Sequence, residues 1–202
     1  MTPDEFLDWV ERQDLAYELV DGRPVLRDPV LDPADPARMM TGASRAHRRI
    51  VVNMALALGP QAKAAGCHVD TSDGGVDVGD GGVRFPDVMV SCDPHPDNDK
   101  CELPALVIEV LSPSTALIDT TVKLRQYQAL EHVRTIAIVD PQRVAVVTYT
   151  RTGDGWDMRG LFSLEDAVQV DQPPLALKLA DIYDQLDPLP AHPGIPDEPD
   201  RN

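Results

Sequence analysis

The chain has 202 residues, room for one compact domain and little more. Hydrophobic residues make up 43% but aromatics only 4%, so the core has to be built from Val, Leu, Ile and Ala. A formal net charge of −16 argues against a general polyanion-coating surface; a nucleic acid would have to be met by a local acidic pocket holding Mg²⁺, or by a basic surface on a partner subunit.

Residues 2–12 predict a short helix, with Thr2 as cap, Pro3 in the first turn and Glu5 as the capping-box acid. Two β-prone runs then flank Asp21-Gly22, a hairpin signal. Residues 28–43 read as a loop. Residues 44–65 predict a helix with Ile50, Met54, Leu56 and Leu58 among its apolar positions, broken or kinked at Gly59-Pro60 and ended by Gly66. Residues 69–83 predict twisted strands joined by tight turns, with Asp70, Asp73, Asp77 and Asp80 as turn residues. Residues 85–90 predict a strand entered through Pro86, and 93–99 a second loop.

The run 106–111 is an apolar strand with one acid inside it. Helix caps at 112–115 lead to a helix over 116–131, followed by strands at 135–139 and 144–150 and a turn at 153–155. Residues 161–186 read as one short strand and a last helix near 179–186. The tail from 187 carries five prolines and is expected to be disordered or loosely attached, leaving 1–186 as the domain. This order predicts a mixed α/β (α+β) fold around one central sheet.

Cys67, Cys92 and Cys101 are an odd set with no close pair, so neither a disulfide framework nor a zinc ribbon is expected, and a reducing cytoplasm fits. The start of the chain lacks the order of a signal peptide, and no apolar run approaches a bilayer span, so no membrane role is expected. No P-loop, GxGxxG, HExxH or GxSxG motif is present, and the five histidines show no ligand spacing.

Glu109 is the most informative residue. Its neighbours fill both faces of the strand, so the carboxylate is expected in the sheet centre. Burial there is costly unless the acid is protonated, bound to a metal, or simply paired with an Arg or Lys. Asp87 stands at the mouth of a strand, after a proline, and with Glu109 makes two carboxylates suited to one Mg²⁺ (or Mn²⁺). Lys123 follows on a helix, with Asp119 and Tyr127 four residues to either side on the same face. It could orient a water and neutralise phosphate charge, or form an ordinary surface pair with Asp119. Glu18 could be a third acid at the site or a solvent-facing strand residue. His47, beside Arg45, Arg48 and Arg49, could meet a phosphate backbone or lie on a solvated helix face.

The segments Tyr17–Gly22, the His47 helix, Arg84–Val88, Val107–Thr115 and the spaced Asp119, Lys123 and Tyr127 together resemble the Uma-two family of restriction-endonuclease-like proteins, over roughly residues 1–186. The resemblance implies a PD-(D/E)XK nuclease fold, with a mixed central sheet flanked by helices. It implies Asp87 and Glu109 as the metal pair and Glu18 as an acid from the first strand region. In that superfamily the lysine usually lies two residues after the second acid. Here that position is Leu111, and the resemblance assigns the role to Lys123 on the next helix. His47, Asp119 and Tyr127 would lie behind the metal ligands or face phosphate. DNA would be the substrate, and a homodimer is the assembly the resemblance suggests. Two other readings stay open: a nuclease-like fold used for protein interaction or regulation, and a carboxylate-based hydrolase of another substrate with Glu18 and Glu109 as acid and base.

Overall fold

The computed structural model describes residues 1–27, 44–72, 74–92, 102–112, 119–187 and 189, with Asp119 described in its backbone alone. The expected loops at 28–43 and 93–99, the start of the 116–131 helix and most of the tail fall outside the described residues.

Helix α1 (Pro3–Val10) starts where the sequence places it. Thr2 Oγ1 accepts the Glu5 N–H, and the Glu5 carboxylate accepts the Thr2 N–H. Its Phe6 and Leu7 pack on Leu19, Val83 and Phe85, which fixes α1 against a four-stranded sheet. That sheet has the order β2-β1-β5-β4, made of β1 (Tyr17–Val20), β2 (Arg23–Leu26), β4 (Val76–Gly79) and β5 (Gly82–Arg84). Asp21 and Gly22 both take positive φ, the conformation the β1–β2 hairpin turn needs.

The larger sheet has six strands in the order β10-β9-β8-β7-β6-β3. They are β3 (His68–Asp70), β6 (Val88–Ser91), β7 (Pro104–Val110), β8 (Thr135–Asp140), β9 (Ala145–Thr152) and β10 (Gly155–Leu161). Only β7 and β8 run parallel, so the sheet is mixed. One face is covered by α2 (Arg45–Ala64), by the hairpin β11 (Ala167–Val170) and β12 (Leu175–Lys178), and by α4 (Leu179–Ile182). On the other face Met89, Val107, Ile136 and Ile138 pack against α3 (Leu124–Ala129) and β4. A single π-helical turn, Asp119–Lys123, leads into α3.

Four local readings need correction. Helix α2 runs through Gly59-Pro60 unbroken. Pro60 is on the exposed side, so the carbonyl that loses its N–H partner can be hydrated. Leu56 is 71% exposed and not part of the buried stripe of Ile50, Met54, Leu58 and Ala62. Strand β10 was not expected at all. It is a mostly exposed edge strand whose alternation, Trp156-Asp157-Met158-Arg159, is short and ends at Gly160. Residues 161–186 hold two short strands rather than one, and the last helix is a single turn.

The cysteine expectation is also overturned. The pairing His68↔Ser91 puts Cys67 opposite Cys92, and the two are bonded. Their separation of 25 residues hid a cross-strand neighbourhood. The cysteine count is therefore no guide to compartment here. Among the described residues, no helix is long and apolar enough to cross a membrane.

Candidate active site

The site lies where β1 and β5 of the small sheet meet β6 and β7 of the large one, under α3. Glu109 is on β7, the strand between β6 and β8, opposite Ile138. Leu106, Ile108 and Val110 point to the α2 face, so Glu109 shares the other face with Val107 and lies beneath α3. It is 2% exposed.

Two groups from the helical segment reach it. Tyr127 donates its hydroxyl to Glu109 Oε1 at 2.8 Å, and Lys123 Nζ lies 3.3 Å from the same oxygen. Lys123 Nζ is also 3.1 Å from Glu18 Oε1, as an ion pair rather than a directed hydrogen bond. Lys123 thus bridges two buried carboxylates. Both Lys123 and Glu18 are buried, so neither takes a solvent-facing position. Lys123 closes the π-helical turn and caps α3, and Tyr127 follows four residues later within α3, so the two converge on Glu109.

Sequence reading missed the residues that hold Glu18. The register Leu19↔Val83 sets Glu18 opposite Arg84, whose Nη1 donates to Glu18 Oε2 at 2.6 Å. Arg84 Nε donates to Gln126 Oε1 on α3. Arg84 is 3% exposed, between the buried Val83 and Phe85. Its alternation with Val83 and Phe85 is the pattern of a solvent-facing strand position, so no local signal marked it as buried.

Asp87 is held differently. The Leu111 N–H bonds Val139 on the β8 side, so the Val110 N–H faces β6. Its ladder acceptor would be Pro86 O, which is taken by the Ser72 N–H. The Asp87 carboxylate fills the gap, and Oδ2 accepts the Val110 N–H at 2.8 Å. His47 Nε2, from the first turn of α2, is 3.3 Å from the same oxygen. His47 is therefore turned inward, away from the solvated-face reading. Burial pushes the Asp87 carboxyl up, but the His47 ring, the Val110 N–H and the Arg27 charge outweigh it and hold the group below its ordinary value of 3.8. Burial, then the charges of Glu109 and Glu18, make the Tyr127 phenol much harder to ionise than usual.

The structure thus gathers Glu18, Glu109, Lys123 and Tyr127 into one linked cluster, and Asp87 with His47 into a second. The clusters meet at Val110, the residue after Glu109. The Asp119 side chain lies outside the described residues. A separate trio, His68, Asp70 and Glu102, sits at the β3 edge with its ligand atoms all within 4.8 Å of one another, a geometry able to hold a metal. The reading of Asp70 as a turn residue fails there, since Asp70 ends β3.

A mixed sheet flanked by helices, with buried acids at the strand ends, defines a nuclease-like fold. The family model described as "Putative restriction endonuclease" (Uma2) matches residues 3–180, and the chain belongs to that family. A relative in Synechocystis sp., "Uncharacterized protein slr1290", is 30% identical over 159 residues, 77% of this chain and 76% of the relative. The crystal structure of "a putative nuclease belonging to DUF820" from Anabaena variabilis superposes with a TM-score of 0.67 at 19% identity. It covers 91% of this chain and 97% of that one, a likeness of fold.

Proposed function

We propose that the chain is a divalent-metal-dependent endonuclease that hydrolyses DNA phosphodiester bonds. The observation that carries this reading is the bridging of Glu109 and Glu18 by Lys123 beside Asp87, all buried at the junction of the two sheets. A charged cluster of this kind is costly in a core and is the usual mark of a site.

The donor set fits Mg²⁺ or Mn²⁺. Asp87 and Glu109 are two carboxylates joined through one peptide unit by the Val110 N–H, and both described Asp87 contacts use Oδ2. Two carboxylates and several waters are the coordination Mg²⁺ accepts. When bound, such an ion supplies a more acidic water and charge stabilisation at the phosphoryl oxygens.

The protein's own groups do the rest. Tyr127 fixes the Glu109 carboxylate. Arg84 fixes Glu18, and Glu18 shares the Lys123 ammonium with Glu109. Lys123 then orients the attacking water and neutralises charge developing on phosphorus-bound oxygen. The water oxygen bonds to phosphorus and gives up a proton to solvent as the ester P–O bond breaks, and the leaving oxygen takes a proton from solvent. His47 holds Asp87, while Arg45, Arg48 and Arg49 on its helix supply the local positive charge that DNA requires.

The test is cleavage of a panel of duplex and single-stranded DNA and RNA with Mg²⁺, with Mn²⁺ and with EDTA. Wild type is expected to cut with metal only, and Glu109→Gln and Lys123→Ala to fall at least about a hundredfold. Equal cutting by wild type and both variants would overturn the proposal. A second reading, a non-catalytic nuclease fold serving protein interaction or regulation, is favoured by the charge of −16. It predicts no metal-dependent cutting of any substrate in the panel.

A further inference from the structure

We propose that His68, Asp70 and Glu102 form a second cation site, taking a divalent first-row transition ion such as Zn²⁺, independent of Asp87 and Glu109. His68 Nε2 lies 3.2 Å from Asp70 Oδ2 and 3.1 Å from Glu102 Oε2. Ligands about 2.0–2.1 Å from a tetrahedral ion stand about 3.3 Å from each other. The two nitrogen–oxygen separations are therefore close to the edges of a tetrahedral coordination shell. Two carboxylate oxygens also converge on one ring nitrogen, which carries at most a single N–H. Such an arrangement concentrates negative charge that a cation bound among the three groups would offset.

The site is built by the fold rather than assembled from loose surface acids. His68 and Asp70 alternate along β3 and so share a face, and the Asp70↔Met89 pairing fixes their height on the sheet. The Cys67–Cys92 bond locks the adjoining pair of residues. Glu102 is brought in from β7's approach by its N–H, which donates to Gly75 O at 2.7 Å. Gly74 threads between the walls. A Cβ there would collide with the Met89 methyl and lie 3.3 Å from both the Asp70 Cβ and the Glu102 Cγ.

The side chains of His68 and Asp70 are 43% and 33% exposed and that of Glu102 only 13%, so the trio opens to solvent on one side. That opening leaves a fourth position for water. The imidazole selects for Zn²⁺-like ions over Mg²⁺, which prefers oxygen alone. Strand spacing puts the trio about 12 Å from Glu109, two strands over and two residues along, too far to share an ion.

The test uses the full chain with Zn²⁺ and with Co²⁺ as a spectroscopic probe. Calorimetry is expected to show a site of one ion per chain that persists in the Asp87→Asn/Glu109→Gln double variant. It should weaken at least about thirtyfold in His68→Gln and in Glu102→Gln, each checked for folding by circular dichroism. Bound Co²⁺ should show the intense visible bands of a low-coordinate N/O site in wild type and lose them in His68→Gln. Absence of binding would overturn the proposal and leave the trio as an imidazolium–carboxylate ion pair only. So would binding lost in the Asp87/Glu109 double variant but retained in both trio variants. Because the readout is binding and not cleavage, this outcome is separable from failure of the nuclease reading.

Discussion

Lys123 carries two opposed consequences of burial. Its ammonium is the shared counter-charge of Glu18 and Glu109, so Lys123→Met would leave Glu18 with Arg84 alone and strip that charge from the buried Glu109. Removing one partner of a buried charge cluster costs about 3 kcal/mol or more. Chemical denaturation of Lys123→Met should show that loss, and millimolar Mg²⁺ should return part of it if the acids bind metal. Asp87 adds a pH dependence. Its folded carboxyl sits below its ordinary value of 3.8, so its stabilisation is present above that value and is lost as pH falls through the lower folded one. Melting temperature followed downward from about pH 5 should therefore fall more steeply in wild type than in Asp87→Asn, which has no such proton to gain. Parallel curves would remove Asp87 from the account.

At the scale of elements, α2 offers a paired check. A Cβ added at Gly59 meets nothing within 4 Å, whereas Gly66 ends the helix at φ +74. Gly59→Ala should raise stability by about 0.5–1 kcal/mol, and Gly66→Ala should lower it by a similar amount. Thermal melts of the two variants give the signs directly. The same contrast shows what local sequence can reveal. The capping box of α1, the Asp21-Gly22 turn, the Gly66 stop and the buried strand around Glu109 are legible because their causes lie within a few neighbouring residues. Arg84 and Glu18 are 66 residues apart, His68 and Glu102 are 34, and each pairing exists only through strand register. Strand β10 was missed because its alternation runs only from Trp156 to Arg159, between Gly155 and Gly160, and most of it is exposed. Asp87, Glu109 and Lys123 could be singled out as chemistry-bearing residues. The Arg84–Gln126 support behind them could not, because nothing in the linear order says which acid a buried arginine meets.

At the scale of the whole molecule, the net charge of −16 opposes the proposed substrate. Ordinary DNA-binding proteins making several phosphate contacts lose about 10³–10⁵ in affinity between about 50 and 200 mM salt. Here general repulsion is screened by the same salt that weakens the few local contacts from the α2 arginines. DNA affinity in the presence of Mg²⁺ should therefore change by less than about tenfold over that range, measured by fluorescence anisotropy with a non-cleavable duplex. A steep fall would point to a basic surface elsewhere, such as one formed on self-association.

The central claim, that Asp87 and Glu109 hold a divalent metal for phosphodiester hydrolysis, is tested most directly by titrating Mg²⁺ calorimetrically into the protein saturated with a non-cleavable DNA. The comparison is between His68→Gln and His68→Gln/Glu109→Gln, so that an ion at the β3 edge contributes to neither. A saturable site in the first protein that is absent from the second is the predicted result. Superimposable isotherms in the two proteins would contradict it.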